Sequence, residues 1–358
     1  MEDVAAKAGV SRALVSLVMR ESPKVSAKSK AAVLKAAEEL NYRPNLLARS
    51  LASKRSMMLG VVFNDLHNQY FAEVADGIEQ VASRASYRLV INSSHRSVAG
   101  ERKAIETFLE LLVDGVIVLG TQTPWELLAD LRSRTQVPIT AASRQFAPTS
   151  PGVSDAIDLA PATDPHALTL DSVTTDDEAG AQIAIDHLVD LGHRRITHVD
   201  GGDGAGACER RVGYRAAMMR HGLDEHVDVI SGEFTEDAGR RAAASVLKRP
   251  TPPTAIFAAN DLVAAGIITE ANRLGLGIPT DLSVIGYDNT SLASLDLIRL
   301  STINQPRRLM GQIAAELTIE RLNDGRTQAE HRLLRPTLIK RSTTGPHPSV
   351  GPTTTTTT

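Results

Sequence analysis

From Met58 onward, short apolar runs alternate with stretches of helical period, and that alternation leaves the chain few ways to fold. MLGVVF at 58–63 reads as a buried strand. In the YFAEVADGIEQVASRA that follows, Phe71, Val74, Ile78 and Val81 fall on one helical stripe. RLVINSS, GVIVLGT and VPITAAS continue as strands, separated by helices near 100–112 and 124–134. Strands that alternate with helices form parallel sheets covered on both faces. Each strand ends in small or polar residues, and such sheets bind ligands beyond the carboxyl ends of their strands. The pattern breaks at 145–170, where Pro148, Pro151, Pro161 and Pro165 are interspersed with Asp155, Asp158 and Asp164. A structureless segment this long reads as a surface insertion, or as a lid over a site.

The alternation restarts with a helix at 177–191 and strands in ITHVDG, VDVISGEF, AIFAAND and LSVIGYDN, which predicts a second lobe of similar build. LSTINQP at 300–306, a helix over 307–323 and HRLLRPTLIKR at 331–341 complete it. The last residues end in six Thr after Gly351 and Pro352 and have no apolar face, so 347–358 is expected to be a disordered tail.

The first 44 residues follow another rule. Asp3 to Ala8 favour a helix, and Gly9 is placed to end it. Ser11 is a plausible N-cap for a second helix with Leu14, Val15 and Val18 inward. Ser26 caps a third, with Val33, Ala37 and Leu40 inward and Leu34 flanking; Ser29 stands where a capping box has Glu or Gln. Pro44 closes the unit. Two short helices joined by a tight AGVS turn, with a third behind, form a helix-turn-helix, although other three-helix bundles share the outline. NLLARSLA at 45–52 is amphipathic but too short to be stable without a partner.

Charge separates the two parts. Residues 1–56 carry eleven Lys/Arg against five Asp/Glu, whereas the rest carries 28 against 37. A basic head on an acidic body suits a nucleic-acid-binding head. The single cysteine, Cys208, excludes an intramolecular disulfide and a Cys-based zinc site. No apolar run reaches the roughly 18 residues of a membrane span, and MEDVAAKAGVS lacks a signal-peptide core. The expectation is a cytoplasmic protein without membrane contact.

DVAAKAGVS and KVSAKSKAAVLKAAEELNYRPNLLARSLA resemble the DNA-binding head and hinge of the lactose-repressor (LacI/GalR) family. NDLHNQYFAEVADGIEQVA, HLVDLGHRRITHVDG, ERRVGYRAAM, AIFAANDLVAAGI, LSVIGYDN, LSTINQP and LIKRSTT follow in the family's order. The resemblance covers residues 1 to about 344, apart from the 145–170 insertion. It implies an all-α helix-turn-helix head with a hinge helix, then a periplasmic-binding-protein-like α/β core of two doubly wound parallel-sheet lobes. On this sequence, 1–44 is the head, 45–56 the hinge and linker, and 57–346 the effector-binding and dimerisation core. Lobe one takes 57–175 and 306–330; lobe two takes 176–303 and 331–346. The implied molecule is a homodimeric transcriptional regulator on a palindromic double-stranded operator, with no cofactor and no catalysis. A carbohydrate between the lobes would relieve repression; the alternative is a purine-like corepressor that strengthens DNA binding. Members usually have a few residues before this start, including a Thr or Ser cap for helix 1, so the native start is expected upstream of Met1.

A recognition helix reads bases with its N-terminal residues, here Ser11, Arg12 and Ala13, with Ser16 and Leu17 one turn on. Arg12 can take a guanine bidentately, or contact phosphate only. Leu17 stands where most members carry Arg, so the operator is expected to differ at that base pair. The resemblance places Asn45, Ala48, Arg49, Leu51 and Ala52 in the minor groove, with Leu51 as the wedge.

For the effector the family positions are Asn68, Tyr70, Phe71, Arg144, Arg210, Asn260, Asp261, Asp288 and Gln305. A sugar offers an apolar ring face and many hydroxyls, which this mixture of aromatic and polar groups suits. Gln69 replaces a usual Pro, and Ser143 an Asp that often precedes the Arg. Several readings stay open: Asn260 and Asp288 as turn residues, Asp261 as a helix N-cap, and one of Tyr70 and Phe71 as core. Enzyme readings are weak. GGDGAG at 201–206 follows a strand but matches neither GxGxxG nor a Walker loop, no Ser sits in a GxSxG elbow, and His187, His193 and His198 lack metal-ligand spacing.

Overall fold

The structure, a computed structural model, describes residues 1–19, 24–42, 55–144, 157–159 and 169–347. The chain divides into two compact units, Met1–Met57 and Met58–Thr358.

In the first unit, α1 (Glu2–Ala8) stops at Gly9, whose φ of 63° is open to glycine at no steric cost. Helix α2 (Arg12–Met19) starts where the Ser11 hydroxyl accepts from the Leu14 amide at 3.2 Å. Helix α3 (Ala27–Glu39) starts with Ser26, which accepts from the Ser29 amide at 3.2 Å. The Ser26 hydroxyl in turn donates to the Ser29 hydroxyl at 3.0 Å, so the capping box stays incomplete, as Ser29 in place of Glu or Gln implies. Val4, Val15, Val18, Val33, Ala36 and Ala37 form the core. Two expectations need correction. Leu14 is only half-buried, and Leu40 is 40% exposed because α3 ends one residue before it. Tyr42 packs against the core instead, its amide donating to Ala37 at 2.8 Å. Pro44, the 45–52 stretch and the tail beyond His347 lie outside the described residues.

The second unit holds two sheets. The first has the order β2-β1-β3-β4-β6-β12-β5, and the strands are β1 (Met58–Phe63), β2 (Arg88–Ser93), β3 (Gly115–Leu119), β4 (Ile139–Ala142), β5 (Ile157–Leu159), β6 (Asp171–Thr175) and β12 (His331–Leu334). All pairs are parallel except β5–β12. Helices α4 (Gln69–Arg84) and α12 (Arg307–Asp324) cover one face; α5 (Val98–Glu110) and α6 (Trp125–Thr135) cover the other. The second sheet has the order β13-β11-β10-β9-β7-β8, from β7 (Ile196–Val199), β8 (Asp228–Ile230), β9 (Ala255–Ala258), β10 (Ser283–Asp288), β11 (Ser301–Asn304) and β13 (Thr337–Ile339). Only β11–β13 is antiparallel. Helices α7 (Asp177–Asp190) and α8 (Ala207–Arg220) cover one face, and α9 (Glu236–Val246) and α10 (Asp261–Arg273) the other. A short α11 (Ser291–Ser294) follows β10.

The chain therefore passes between sheets after β6, after β11 and after β12. The last passage differs from the expectation. HRLLRPTLIKR is not one lobe-two segment: His331–Leu334 pairs in parallel with Ser172–Thr175 in the first sheet. Only after Arg335 and Pro336 does β13 join the second sheet. Proline has no amide to donate to a ladder, so it falls between strands rather than within one. Of the 145–170 segment, 145–156 and 160–168 lie outside the described residues, and Ile157–Leu159 forms β5, an edge strand on β12.

His198 on β7 is fully buried, stacked on Phe257 with ring centroids 4.6 Å apart. Its Nδ1 is 3.0 Å from the Phe257 carbonyl, and its Nε2 has no partner among the described residues. Burial pushes its pKa down to about 4. A histidine with a depressed folded pKa contributes stability that is present above its unfolded pKa and lost as pH falls. We expect about 3 kcal/mol to be lost here between pH about 6.5 and 4. Urea midpoints across that interval should fall less steeply in His198→Phe; parallel curves would refute the assignment.

Candidate functional site

On the head, α2 buries Val15 and Val18 and turns Ser11, Arg12, Ala13 and Leu17 outward. Ser16 is half-buried. Arg12 touches Glu2 at 3.3 Å, with both side chains largely exposed. Such a pair is worth little in water and leaves the guanidinium available. Of the ten candidate DNA contacts, these five belong to one helix start. The other five, Asn45, Ala48, Arg49, Leu51 and Ala52, lie outside the described residues.

In the second unit, a cleft of about 550 Å3 opens where the carboxyl ends of both sheets meet. From the first sheet it is lined by Asn68, Tyr70 and Phe71 at the start of α4, with Ser143 after β4. Asn68 caps α4, its side-chain oxygen accepting from the Tyr70 amide at 3.0 Å. The Tyr70 hydroxyl lies 2.7 Å from that of Ser143 and donates to Gln305 at 3.3 Å. Phe71 meets Tyr70 edge-on at 5.2 Å; both rings are buried, and both line the cleft.

From the second sheet come Arg210, Asn260, Asp288 and, after β11, Gln305. Arg210 is 5% exposed. Its Nε donates to Asp177 at 3.1 Å, its Nη1 donates to the Ala259 carbonyl at 2.6 Å, and it lies 3.9 Å from the Tyr287 ring centroid. Burial works against this charge, but Asp177, Tyr287 and Asp288 outweigh it and hold the guanidinium pKa above its ordinary value. Asp288 accepts from the Gln305 amide at 2.7 Å. Burial pushes its carboxyl up and Arg210 draws it part of the way back, leaving it above the usual carboxylate range. Its φ of 108° is strained for a residue with a Cβ, as are the φ values of 66° at Ser143 and 50° at His95. All three line the cleft, and such strain concentrates at functional sites.

Two candidates are not brought to the cleft. Arg144 lies over the Trp125 ring at 4.6 Å and donates to the Thr123 carbonyl at 2.6 Å. These contacts hold it away from the lining. Asp261 accepts from the Thr290 amide at 2.7 Å, the Thr290 hydroxyl at 2.9 Å and the Thr302 hydroxyl at 2.7 Å, so it ties β10 and β11 to α10. Nor is it the cap of α10. That residue is Asn260, whose side chain accepts from the Val263 amide at 2.9 Å.

The cleft also holds residues that the sequence does not mark as effector contacts. Asp177, the partner of Arg210, is one. The GGDGAG loop is another. Asp200 accepts from the Gly202 and Gly232 amides at 3.0 and 3.2 Å and so pins two loops together. The Phe234 ring packs on Gly201 and Gly204, where a Cβ would collide with it. The loop's position between a strand and a helix was the available signal. The nucleotide motifs, which it fails, do not disclose it. Asp65, Arg96 and Glu233 line the cleft from loops after β1, β2 and β8.

Residues 1–45 match the model of bacterial regulatory proteins of the lacI family, and residues 185–344 match that of the periplasmic binding protein-like domain. The HTH-type transcriptional repressor PurR of Vibrio campbellii is 32% identical, over 96% of this chain and 98% of that protein. The lac repressor dimer bound to operator and the anti-inducer ONPF superposes with a TM-score of 0.79 at 28% identity, covering 96% of this chain and 98% of that one. The transcriptional regulator CelR in complex with cellobiose superposes with a TM-score of 0.68 at 27% identity, with the same coverage.

Proposed function

The chain belongs to the lacI family of bacterial regulatory proteins, and on that premise we propose that it represses transcription as a homodimer and releases its palindromic operator when a carbohydrate fills the cleft. Its relatives are transcriptional regulators, and no helix among the described residues is long and apolar enough to cross a membrane. The observation that carries the reading is one chain with both parts. A capped helix turns Arg12, Ala13 and Leu17 to solvent, and a separate unit holds a cleft of aromatic faces and fixed polar groups. The relative bound to operator is a dimer, and another relative holds cellobiose.

In this reading Arg12 takes a guanine edge, Ser16 and Leu17 face bases one turn on, and Leu51 wedges the minor groove between Asn45, Ala48, Arg49 and Ala52. Arg12→Ala should cost about 1–3 kcal/mol of operator binding and relax preference at one base pair. Binding measured against operators varied at each position checks this; uniform weakening would make Arg12 a phosphate contact.

The whole reading is tested by selection from random DNA at fixed salt, repeated with sugars and nucleobases. A palindrome lost on adding one sugar supports it. A second reading keeps the fold and reverses the sign: a flat purine-like corepressor held by the Phe71 and Phe234 rings, which both line the cleft, would strengthen the complex. If no sequence is enriched, the DNA-binding reading fails.

A further inference from the structure

The cleft's charges are already answered within the fold, and this constrains what can enter. Resting on the reading of the cleft as the ligand site, we propose that it takes an uncharged carbohydrate and rejects the phosphorylated or carboxylated form of the same sugar. Two guanidiniums line the cleft, and each has a carboxylate. Arg210 gives one nitrogen to Asp177 and another to the Ala259 carbonyl. Arg96 lies 3.4 Å from Glu233 and 3.8 Å from Asp65. Arg210 is therefore no open charge of the kind that recognises phosphate, whereas the half-exposed Arg96 is only partly screened by its two acids.

The third positive feature is the start of α8. It opens at Gly206 with no side-chain cap, and a helix start of this kind attracts anions. Here the place is taken. A Cβ on Gly206 would stand 2.5 Å from Asp177 Oδ2, so the buried Asp177 carboxylate already faces this helix end. Asp203 adds a further acid to the lining, so with Asp65, Asp177 and Glu233 the carboxylates outnumber the two guanidiniums. An entering anion meets like charge in a partly desolvated space.

One buried donor of the lining is left without an acceptor. Asn260 is 1% exposed, and its Nδ2 has no partner among the described residues. A sugar hydroxyl or ring oxygen supplies that acceptor without bringing charge. The aromatic faces of Phe71 and Phe234 suit the apolar side of a sugar ring.

The test uses the full chain and thermal melting. Glucose, galactose, ribose and cellobiose are each compared with available phosphate esters and uronic acids. A sugar that raises Tm by about 2 °C or more should do so with its ester on the order of 100-fold weaker. An ester or acid that binds better than its parent overturns the proposal.

A second arm decides the matter even if no sugar in the panel binds. Inorganic phosphate at matched ionic strength should leave the wild-type Tm unchanged. It should raise the Tm of Asp177→Asn, which uncovers Arg210 and the α8 start. Glu233→Gln, at an exposed position, frees Arg96 and should gain a smaller phosphate response should the first variant not fold. Phosphate stabilising the wild type, or neither variant gaining a response, overturns the proposal. Operator titrations with the same sugars keep the two readings apart. If none alters DNA binding, the carbohydrate reading fails, while the phosphate arm still reports on charge.

Discussion

Replacing Arg210 by Met should give a protein that holds its operator and no longer answers its ligand. The head is a compact unit with its own core, so operator affinity without ligand should be unchanged. The second unit should lose about 3–5 kcal/mol of stability, because Asp177 is left buried without its partner. Ligand affinity should fall by about 1.5–3 kcal/mol, the usual worth of a hydrogen bond from a charged donor to a neutral ligand. A second substitution separates the two effects. Asp177→Asn in the Arg210→Met background removes the stranded carboxylate, so it should restore much of the stability and none of the response. Urea midpoints and operator anisotropy with the sugar panel check both. A variant that releases the operator at the wild-type ligand concentration would remove Arg210 from the site.

The period of the apolar residues carried most of the fold. MLGVVF became β1 without a shift of boundary, and Phe71, Val74 and Ile78 are buried as their stripe required. Local chemistry carried the head, because a Gly after a helix and a Ser before one act within a few residues. What failed depended on partners distant in sequence. Nothing in HRLLRPTLIKR says that its first half pairs with Ser172–Thr175, some 160 residues earlier, while its second half pairs with β11. The site divides in the same way. Asn68, Tyr70, Phe71, Arg210, Asn260, Asp288 and Gln305 meet in one cleft. Arg144 does not, because its position beside a strand end was legible and its stacking on Trp125 was not. Asp177 was hidden for a simpler reason: an acid in the first turn of a helix is ordinary, and only the fold puts Arg210 against it.

A second buried cluster resembles the Arg210–Asp177 pair in chemistry and sits at the opposite end of the strands. Asp171 is fully buried at the start of β6. It accepts from Arg321 Nε and from Nη2 at 3.0 Å, from Arg326 Nη1 and Nη2 at 2.8 and 3.0 Å, and from the Glu330 amide at 2.8 Å. Burial raises its pKa, but the two arginines and the amide outweigh that and hold the carboxyl below its ordinary value. It therefore fastens the end of α12 and the approach to β12 onto β6, far along the chain from the cleft residues of the first sheet. Asp171→Asn should destabilise the second unit by about 3–5 kcal/mol, since the buried Arg321 loses its counter-charge and Arg326 keeps only the more distant Glu320 and Glu330. Ligand discrimination should be unchanged in whatever fraction remains folded, because no residue of this cluster lines the cleft. Asp171→Leu with Arg321→Met should recover part of the loss, because an apolar pair does not carry the desolvation penalty of buried charge, while Arg326 can turn to Glu320 and Glu330, 3.8 and 3.5 Å away. Chemical denaturation of Asp171→Asn, of Asp171→Leu and Arg321→Met alone, and of the double completes the cycle. If Asp171→Asn cost less than about 1 kcal/mol, the cluster would be exchangeable with water, and its burial would not be what joins α12 to the sheet.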